Sequence, residues 1–331
     1  MDIIGKYIDY IRNVRRYSER TADTYESVLL RYAAYAAKEG DPVTDSELIK
    51  ALNRSEIRQF QAELLNADPP ASPATVSLYL SALSSFCRYL VKERYLTSNP
   101  VRLVPKPKQE KRLPHFFRKD ALDAYFKDTD DLISERVLED FRNSWHLDTG
   151  KKYYRDLLTR IIISMLYSLG LRRSELIGLN IADVDFGRNV VKVCGKGNKM
   201  REIPMIASLS EEILLYLRAV EVISGGKRSL KEPLLVTYAG ARLYPTYVDR
   251  AVKSGLGAVS GIRGRKSPHV LRHSLATELM NEEVDLNTIK ELLGHSSLAA
   301  TQVYTHNSIS RLKSIYKQAH PRAKKGGKHG D

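Results

Sequence analysis

At 331 residues the chain is long enough for two compact units, each burying its own core. Lys and Arg total 53 against 39 Asp and Glu, a net charge of +14 that draws in polyanions, and nucleic acid is the commonest of these, although ribosomal and membrane-surface proteins can be as basic. Two distant cysteines, Cys87 and Cys194, argue against a disulfide framework and a thiolate metal site; no apolar run reaches the roughly 18 residues of a membrane span, and residues 1–10 lack the basic-then-apolar order of a secretory signal, so a soluble, cytoplasmic protein is expected.

From Met1 to about Val101 nearly every segment reads as an amphipathic helix, beginning with Tyr25, Val28, Leu29, Tyr32 and Ala33 on one stripe. Ser72 followed by Pro73 is an N-cap and first-turn pair, and the helix it opens puts Val76, Leu80, Leu83, Cys87 and Leu90 on one face. Between Asn99 and Pro114 four prolines are interleaved with Arg102, Lys106, Lys108, Lys111 and Arg112, the composition of a stiffened basic linker. The expected division is a helical unit over 1–104, a linker over 105–117, a second unit over 118–320 and a basic, disordered tail over 321–331.

In the second unit, Leu157 to Leu169 is apolar nearly all round and reads as a buried helix stopped by Gly170. Arg188 to Pro204 alternates as strand, glycine-rich turn and strand, with Val190 to Val193 and Met200 to Ile203 as the strands. The expected fold class is therefore mainly α with a small antiparallel sheet in the second unit (α+β). Further helices are expected around His269 to Leu279 and over Asp285 to Leu293, the latter capped by Asp285 and stopped by Gly294.

Six residues could carry chemistry, and each also has an ordinary structural reading. Arg172 follows the stop at Gly170 and could be a surface arginine, with Arg173 as its rival. Lys196 sits at the hairpin tip between Gly195 and Gly197, where a lysine can keep a loop soluble or reach over a phosphate and deliver a proton. His269 and Arg272, three apart, share one side of a helix start, as an anion-binding pair would or as a cap and an exposed arginine would. His295 emerges at a helix end, and Tyr304 lies nine residues on, where a tyrosine normally packs.

Arg172, Lys196, His269-x-x-Arg272, His295 and Tyr304, in this order, resemble the catalytic signature of the tyrosine recombinases. The surrounding words are also similar: Gly170-Leu171-Arg172-Arg173-Ser174-Glu175-Leu176, Gly195-Lys196-Gly197, His269-Val270-Leu271-Arg272-His273-Ser274 and Leu292-Leu293-Gly294-His295-Ser296-Ser297. Tyr304-Thr305-His306 and Ala319-His320-Pro321-Arg322-Ala323 look like the Xer branch of that family. Asp128 to Lys152 departs from it, being longer than the family commonly has ahead of the first arginine's helix.

The resemblance implies a helical core-binding domain followed by a catalytic domain, and a site-specific recombinase acting on duplex DNA. Tyr304 would be the nucleophile, His269 its proton acceptor, Arg172, Arg272 and His295 the phosphate ligands, and Lys196 the acid for the leaving 5′ oxygen. It further implies a homo- or hetero-tetramer of protomers working through a Holliday junction, with the helix after Tyr304, including Ile309, Leu312, Ile315 and Tyr316, docking on a neighbour or packing within its own subunit. A DNA translocase could serve as activator. No cofactor and no metal are expected. Chromosome-dimer resolution and mobile-element integration or excision both remain open, as do a type IB topoisomerase and a non-catalytic DNA-binding protein.

Overall fold

The computed structural model describes residues 2–37, 43–108, 116–195, 199–257, 259–294, 319, 320 and 322. Lys196, His295 and Tyr304 lie outside the described residues, as do Ile309, Leu312, Ile315 and Tyr316. The chain divides into two compact units, Met1–Arg112 and Leu113–Asp331. Among the described residues no helix is long and apolar enough to cross a membrane.

The first unit is helical: α1 (Ile3–Asp9), α2 (Glu19–Ala36), α3 (Asp45–Ala51), α4 (Arg54–Asn66) and α5 (Pro73–Lys92), with a π-helical turn over Tyr10–Val14 continuing α1. Side-chain caps set the starts: Ser18, Thr44, Asn53 and Ser72 each accept from a first-turn amide, and Thr44 closes a capping box with Glu47. All five expected apolar positions of α5 are buried, and Val28, Leu29 and Tyr32 of the α2 stripe join them. The core is rich in aromatic edges, with Tyr7 against Phe86 at 5.2 Å and Tyr32 against Phe60 at 5.0 Å between ring centroids. Gln61 of α4 donates to the Pro105 carbonyl at 3.0 Å, which ties the start of the proline-rich stretch to this unit.

The second unit is built around α8 (Asp148–Leu169), against which α10 (Ala207–Ser224), α11 (Pro245–Gly255) and α12 (Pro268–Asn281) pack. Residues Leu157 to Leu169 of α8 are buried almost without interruption, as a helix apolar nearly all round requires, and the buried Arg160 among them is held by the Phe126 carbonyl and Glu212. Each such Leu or Ile contributes about 1.5–3 kcal/mol relative to exposure. Preceding α8 are α6 (Lys119–Asp128) and α7 (Glu135–Ser144); α9 (Arg173–Gly178) follows it, and α13 (Leu286–Leu293) follows α12.

The sheet has three antiparallel strands, β1 (Val184–Asp185), β2 (Val190–Cys194) and β3 (Met200–Pro204), in that order. The β2–β3 hairpin was expected; β1, two residues long, carries too little alternation to be read from sequence. Register pairs Val193 with Arg201, and the Gly195 amide donates to the Lys199 carbonyl at 2.8 Å to close the base of the tip.

The stretch Asp128 to Lys152 belongs to this unit's core. It forms a 3₁₀ turn at Asp130–Ile133, all of α7 and the start of α8, and buries Leu138 and Phe141. Tyr153 donates to the Leu132 carbonyl at 3.0 Å, and Tyr238 donates to that of Trp145 at 2.7 Å.

Candidate active site

Helix α8 ends in the left-handed region at Gly170, with φ +58°. A Cβ there would lie 2.5 Å from Leu293 Cδ2 and 3.0 Å from Leu275 Cδ2, so the missing side chain lets the ends of α8 and α13 and the middle of α12 meet. Arg172, two residues on, is the extended N-cap of α9. Its backbone amide donates to Glu175 Oε2 at 2.8 Å and its Nη1 to Glu175 Oε1 at 2.6 Å, Glu175 standing at the third helical position of a capping box. Its Nη2 donates to the Gly294 carbonyl at 2.8 Å.

Arg272 of α12 reaches the same place from the opposite side. Its side chain is buried, with Nη1 donating to the Gly170 carbonyl and Nη2 to that of Leu293. A third guanidinium, Arg201 of β3, donates through Nε to the Leu292 carbonyl at 3.3 Å. Consecutive carbonyls 292, 293 and 294 at the end of α13 thus accept from Arg201, Arg272 and Arg172 in turn. These are groups an α-helix leaves without intrahelical partners, at its partially negative end, so cations are the natural donors.

The charge balance is positive. Glu175 is the carboxylate of the cluster; Arg201 Nη1 and Nη2 donate to its two oxygens at 3.0 and 2.9 Å. Burial alone would push its carboxyl up, but the bonds and charge of Arg201, joined by Arg172, outweigh that and hold it at about 2. Burial first, and the nearby Arg172 next, lower Arg272 to about 10, which leaves it protonated at neutral pH. Each guanidinium has five N–H donors, so those not used on carbonyls and Glu175 remain for an anion.

His269, one turn before Arg272 on α12, is exposed. Partial desolvation, with the charges of His273, Arg173, Arg272 and Arg265, lowers its pKa from the ordinary histidine value, so it is neutral and able to accept a proton near pH 7. Arg173, the rival of Arg172, points elsewhere and pairs with Asp249 of α11. The structure therefore brings Arg172 and Arg272 together at the end of α13, places His269 one turn before Arg272, and pairs Arg173 with Asp249 while its charge still acts on His269.

The neighbours of the other candidates are described. Gly195, before Lys196, abuts the same cluster: a Cβ there would lie 3.4 Å from Arg201 Nη1 and 3.8 Å from Glu175 Oε1. Gly294, before His295, has φ +64°, and a Cβ there would lie 3.0–3.1 Å from the Arg201 guanidinium. Of the residues after Tyr304, Arg322 is held by the second unit. Arg322 Nη1 donates to Ser164 and Ser168 of α8, both at 3.1 Å, its Nη2 pairs with buried Glu212 of α10, and its guanidinium lies 3.9 Å from the Phe126 ring centroid. Arg322 is therefore not part of a disordered tail beginning at 321, as its basic surroundings suggest, because buried Glu212 fixes its guanidinium.

Sequence reasoning missed Glu175 and Arg201. The signals were present: Glu175 stands at capping-box spacing from Arg172, and Arg201 occupies an inward position of β3, where a charge must find a partner.

Comparison with known proteins adds a family context. Residues 4–94 match the profile described as Phage integrase, N-terminal SAM-like domain, and residues 146–311 match that of the Phage integrase family. Tyrosine recombinase XerC of Azotobacter vinelandii is 34% identical over 323 residues, 97% of each chain. Tyrosine recombinase XerC of Chlorobaculum tepidum is 31% identical over 334 residues, covering 97% of this chain and 94% of the relative. Among solved structures, XerH site-specific recombinase bound to palindromic difH substrate aligns with TM-score 0.63 at 21% identity, over 95% of this chain and 84% of that one. A lambda integrase (75-356) dimer bound to a COC' core site aligns with TM-score 0.58 at 17% identity, over 91% and 98%. At these identities the structural likeness establishes the fold.

Proposed function

As the chain belongs to the phage integrase family of tyrosine recombinases and is a site-specific recombinase, we propose that it cleaves duplex DNA with Tyr304 and rejoins the strands through a 3′-phosphotyrosyl intermediate. The observation that carries this reading is the convergence of Arg272 and Arg172 on the adjacent carbonyls of Leu293 and Gly294 at the end of α13, Gly294 standing one residue before His295 and ten before Tyr304.

A phenol is a weak nucleophile near neutrality, since its pKa is about 10. Neutral His269 takes the phenolic proton as the Tyr304 oxygen attacks phosphorus. Arg172 and Arg272, with His295, hold the charge that grows on the non-bridging oxygens. The bond from phosphorus to the 5′ oxygen breaks, and Lys196 protonates that oxygen. The products are a 3′-phosphotyrosyl ester and a free 5′ hydroxyl. Rejoining reverses these steps with the 5′ hydroxyl of another strand, so the energy of the broken ester is conserved and no nucleotide is consumed.

Residues 1–104 then serve as the core-binding DNA domain, 105–117 as the linker and 118–320 as the catalytic domain. Four protomers, identical or of two kinds, act through a Holliday junction in the cytosol, with a DNA translocase as the candidate activator. The Xer-like words at Tyr304-Thr305-His306 and Ala319-His320-Pro321-Arg322-Ala323 favour resolution of chromosome or plasmid dimers over mobile-element integration.

The test is a pool of nicked suicide duplexes with randomised half-sites, from which the 5′ hydroxyl fragment escapes after cleavage. A covalent protein–DNA adduct that maps to Tyr304 is expected, and it should vanish in Tyr304→Phe. Sequencing the trapped duplexes gives the site. An adduct unaffected by Tyr304→Phe, or none across the pool, overturns the proposal.

A further inference from the structure

Strand cleavage as read above uses Arg172 and Arg272 directly and leaves Arg201 without a part. We infer that Arg201 is a positioning residue for cleavage, holding the Glu175 carboxylate that aims Arg172 and bracing the two glycines that precede Lys196 and His295. This rests on the catalytic reading of the cluster.

Three observations carry it. First, Arg201 and Glu175 are each 6% exposed, and their contact is a two-point fork. A buried ion pair is weak as a stability device, because well-packed apolar residues of the same volume do as well or better. What the pair supplies is direction: both Glu175 oxygens are shared between Arg201 and Arg172, so the carboxylate cannot turn without releasing one of them.

Second, the bonds form a closed circuit. Arg201 holds Glu175, Glu175 holds Arg172, Arg172 holds the Gly294 carbonyl, and two residues earlier the Leu292 carbonyl returns to Arg201 Nε. Only a planar guanidinium offers a fork on one edge and a further N–H for a separate acceptor; an ammonium carries its charge at a point.

Third, the guanidinium touches the backbone on both flanks. Gly195 and Gly294 lie so near that an added Cβ would stand 3.4 Å from it in one case and 3.0 Å in the other. Strand β3 therefore delivers one side chain that meets the hairpin base, the α9 cap and the end of α13.

The experiment uses the full chain on the duplex recovered by suicide trapping, with single-turnover cleavage at saturating DNA, DNA affinity and thermal melting measured in parallel. Arg201→Met is expected to cleave on the order of 10- to 100-fold more slowly, the range seen when a partner that orients an active-site group is removed, with DNA affinity within about threefold of wild type. Arg201→Lys should recover part of the rate. In a cycle with Glu175→Gln, the double variant should be no slower than the slower single one, because both changes break one circuit.

A folded Arg201→Met or Arg201→Lys that cleaves at the wild-type rate overturns the inference, as does a rate loss matched by an equal loss of DNA affinity. If Arg201→Met does not fold, Arg201→Lys decides. A wild type that forms no Tyr304 adduct sinks the recombinase reading, whereas an active wild type beside an equally active Arg201→Lys sinks this inference alone.

Discussion

Arg172 Nη2 donates to the carbonyl of Gly294 at 2.8 Å, joining residues 122 positions apart in the chain. The bond fixes the first arginine against the end of α13, while the adjacent Arg173 is taken up by Asp249. Arg172→Ala should therefore lower single-turnover cleavage on the order of 10²–10³-fold, the usual loss for one donor to a charged transition state. Arg173→Ala should stay within about tenfold of wild type. Equal losses in the two variants, measured on the trapped duplex, would show that the pairing with Asp249 does not separate their roles.

Where a single residue imposes local geometry, that geometry was readable in advance. Gly170 and Gly294 stop their helices because they adopt positive φ, and Ser72-Pro73 opens α5 because a hydroxyl can cap an amide and proline has none to satisfy. The β2–β3 hairpin followed from alternation around a glycine-rich turn. Illegible was whatever depends on long-range pairing: Glu175 with Arg201 spans 26 positions, and the packing of residues 128–152 rests on distant partners such as Tyr238, which donates to the Trp145 carbonyl 93 positions away. Neither has a period in the sequence. Three of the six candidate residues could be named from their order alone, and they lie outside the described residues.

The left-handed glycines make a graded series. Gly225 ends α10 at φ +71° with open space around it, so Gly225→Ala should cost about 1 kcal/mol, from backbone conformation alone. Gly170→Ala adds a Cβ 2.5 Å from Leu293 and should cost more, about 2–4 kcal/mol. Gly294→Ala presses on the Arg201 guanidinium and should slow cleavage as well as lower stability. Chemical denaturation with parallel cleavage assays checks the order; Gly170→Ala as mild as Gly225→Ala would contradict the close approach.

Acid should destabilise the second unit in two steps. Burial first, and then the Arg322 charge, lower His320 from 6.5 to about 3, so the unfolded chain binds a proton there that the folded chain refuses, and stability falls as pH drops below 6.5 toward 3. Glu175 is lowered from 4.5 to about 2, and its contribution, complete above 4.5, is lost as pH falls toward 2. The windows separate between pH 6.5 and 4.5, where Glu175 is ionised in both states. There His320→Gln should flatten the dependence of unfolding free energy on pH. An unchanged slope in that variant would mean that His320 is as accessible to protons folded as unfolded.

Cleavage itself should carry a different signature, because in the proposed mechanism His269 takes the phenolic proton, which only a neutral imidazole can do. Its pKa is lowered from 6.5 by partial desolvation first and then by the charges of His273, Arg173, Arg272 and Arg265. The rate should therefore be full at neutral pH and fall only on the acid side, below the ordinary histidine range. His269→Ala should lose on the order of 10²–10⁴-fold in rate. His273→Gln removes a neighbouring positive charge without touching the reacting groups, so the acid limb should move upward in pH while the plateau rate is kept. A limb that stays in place in His273→Gln, in a series of single-turnover rates from pH 5 to 8, would assign it to some other group.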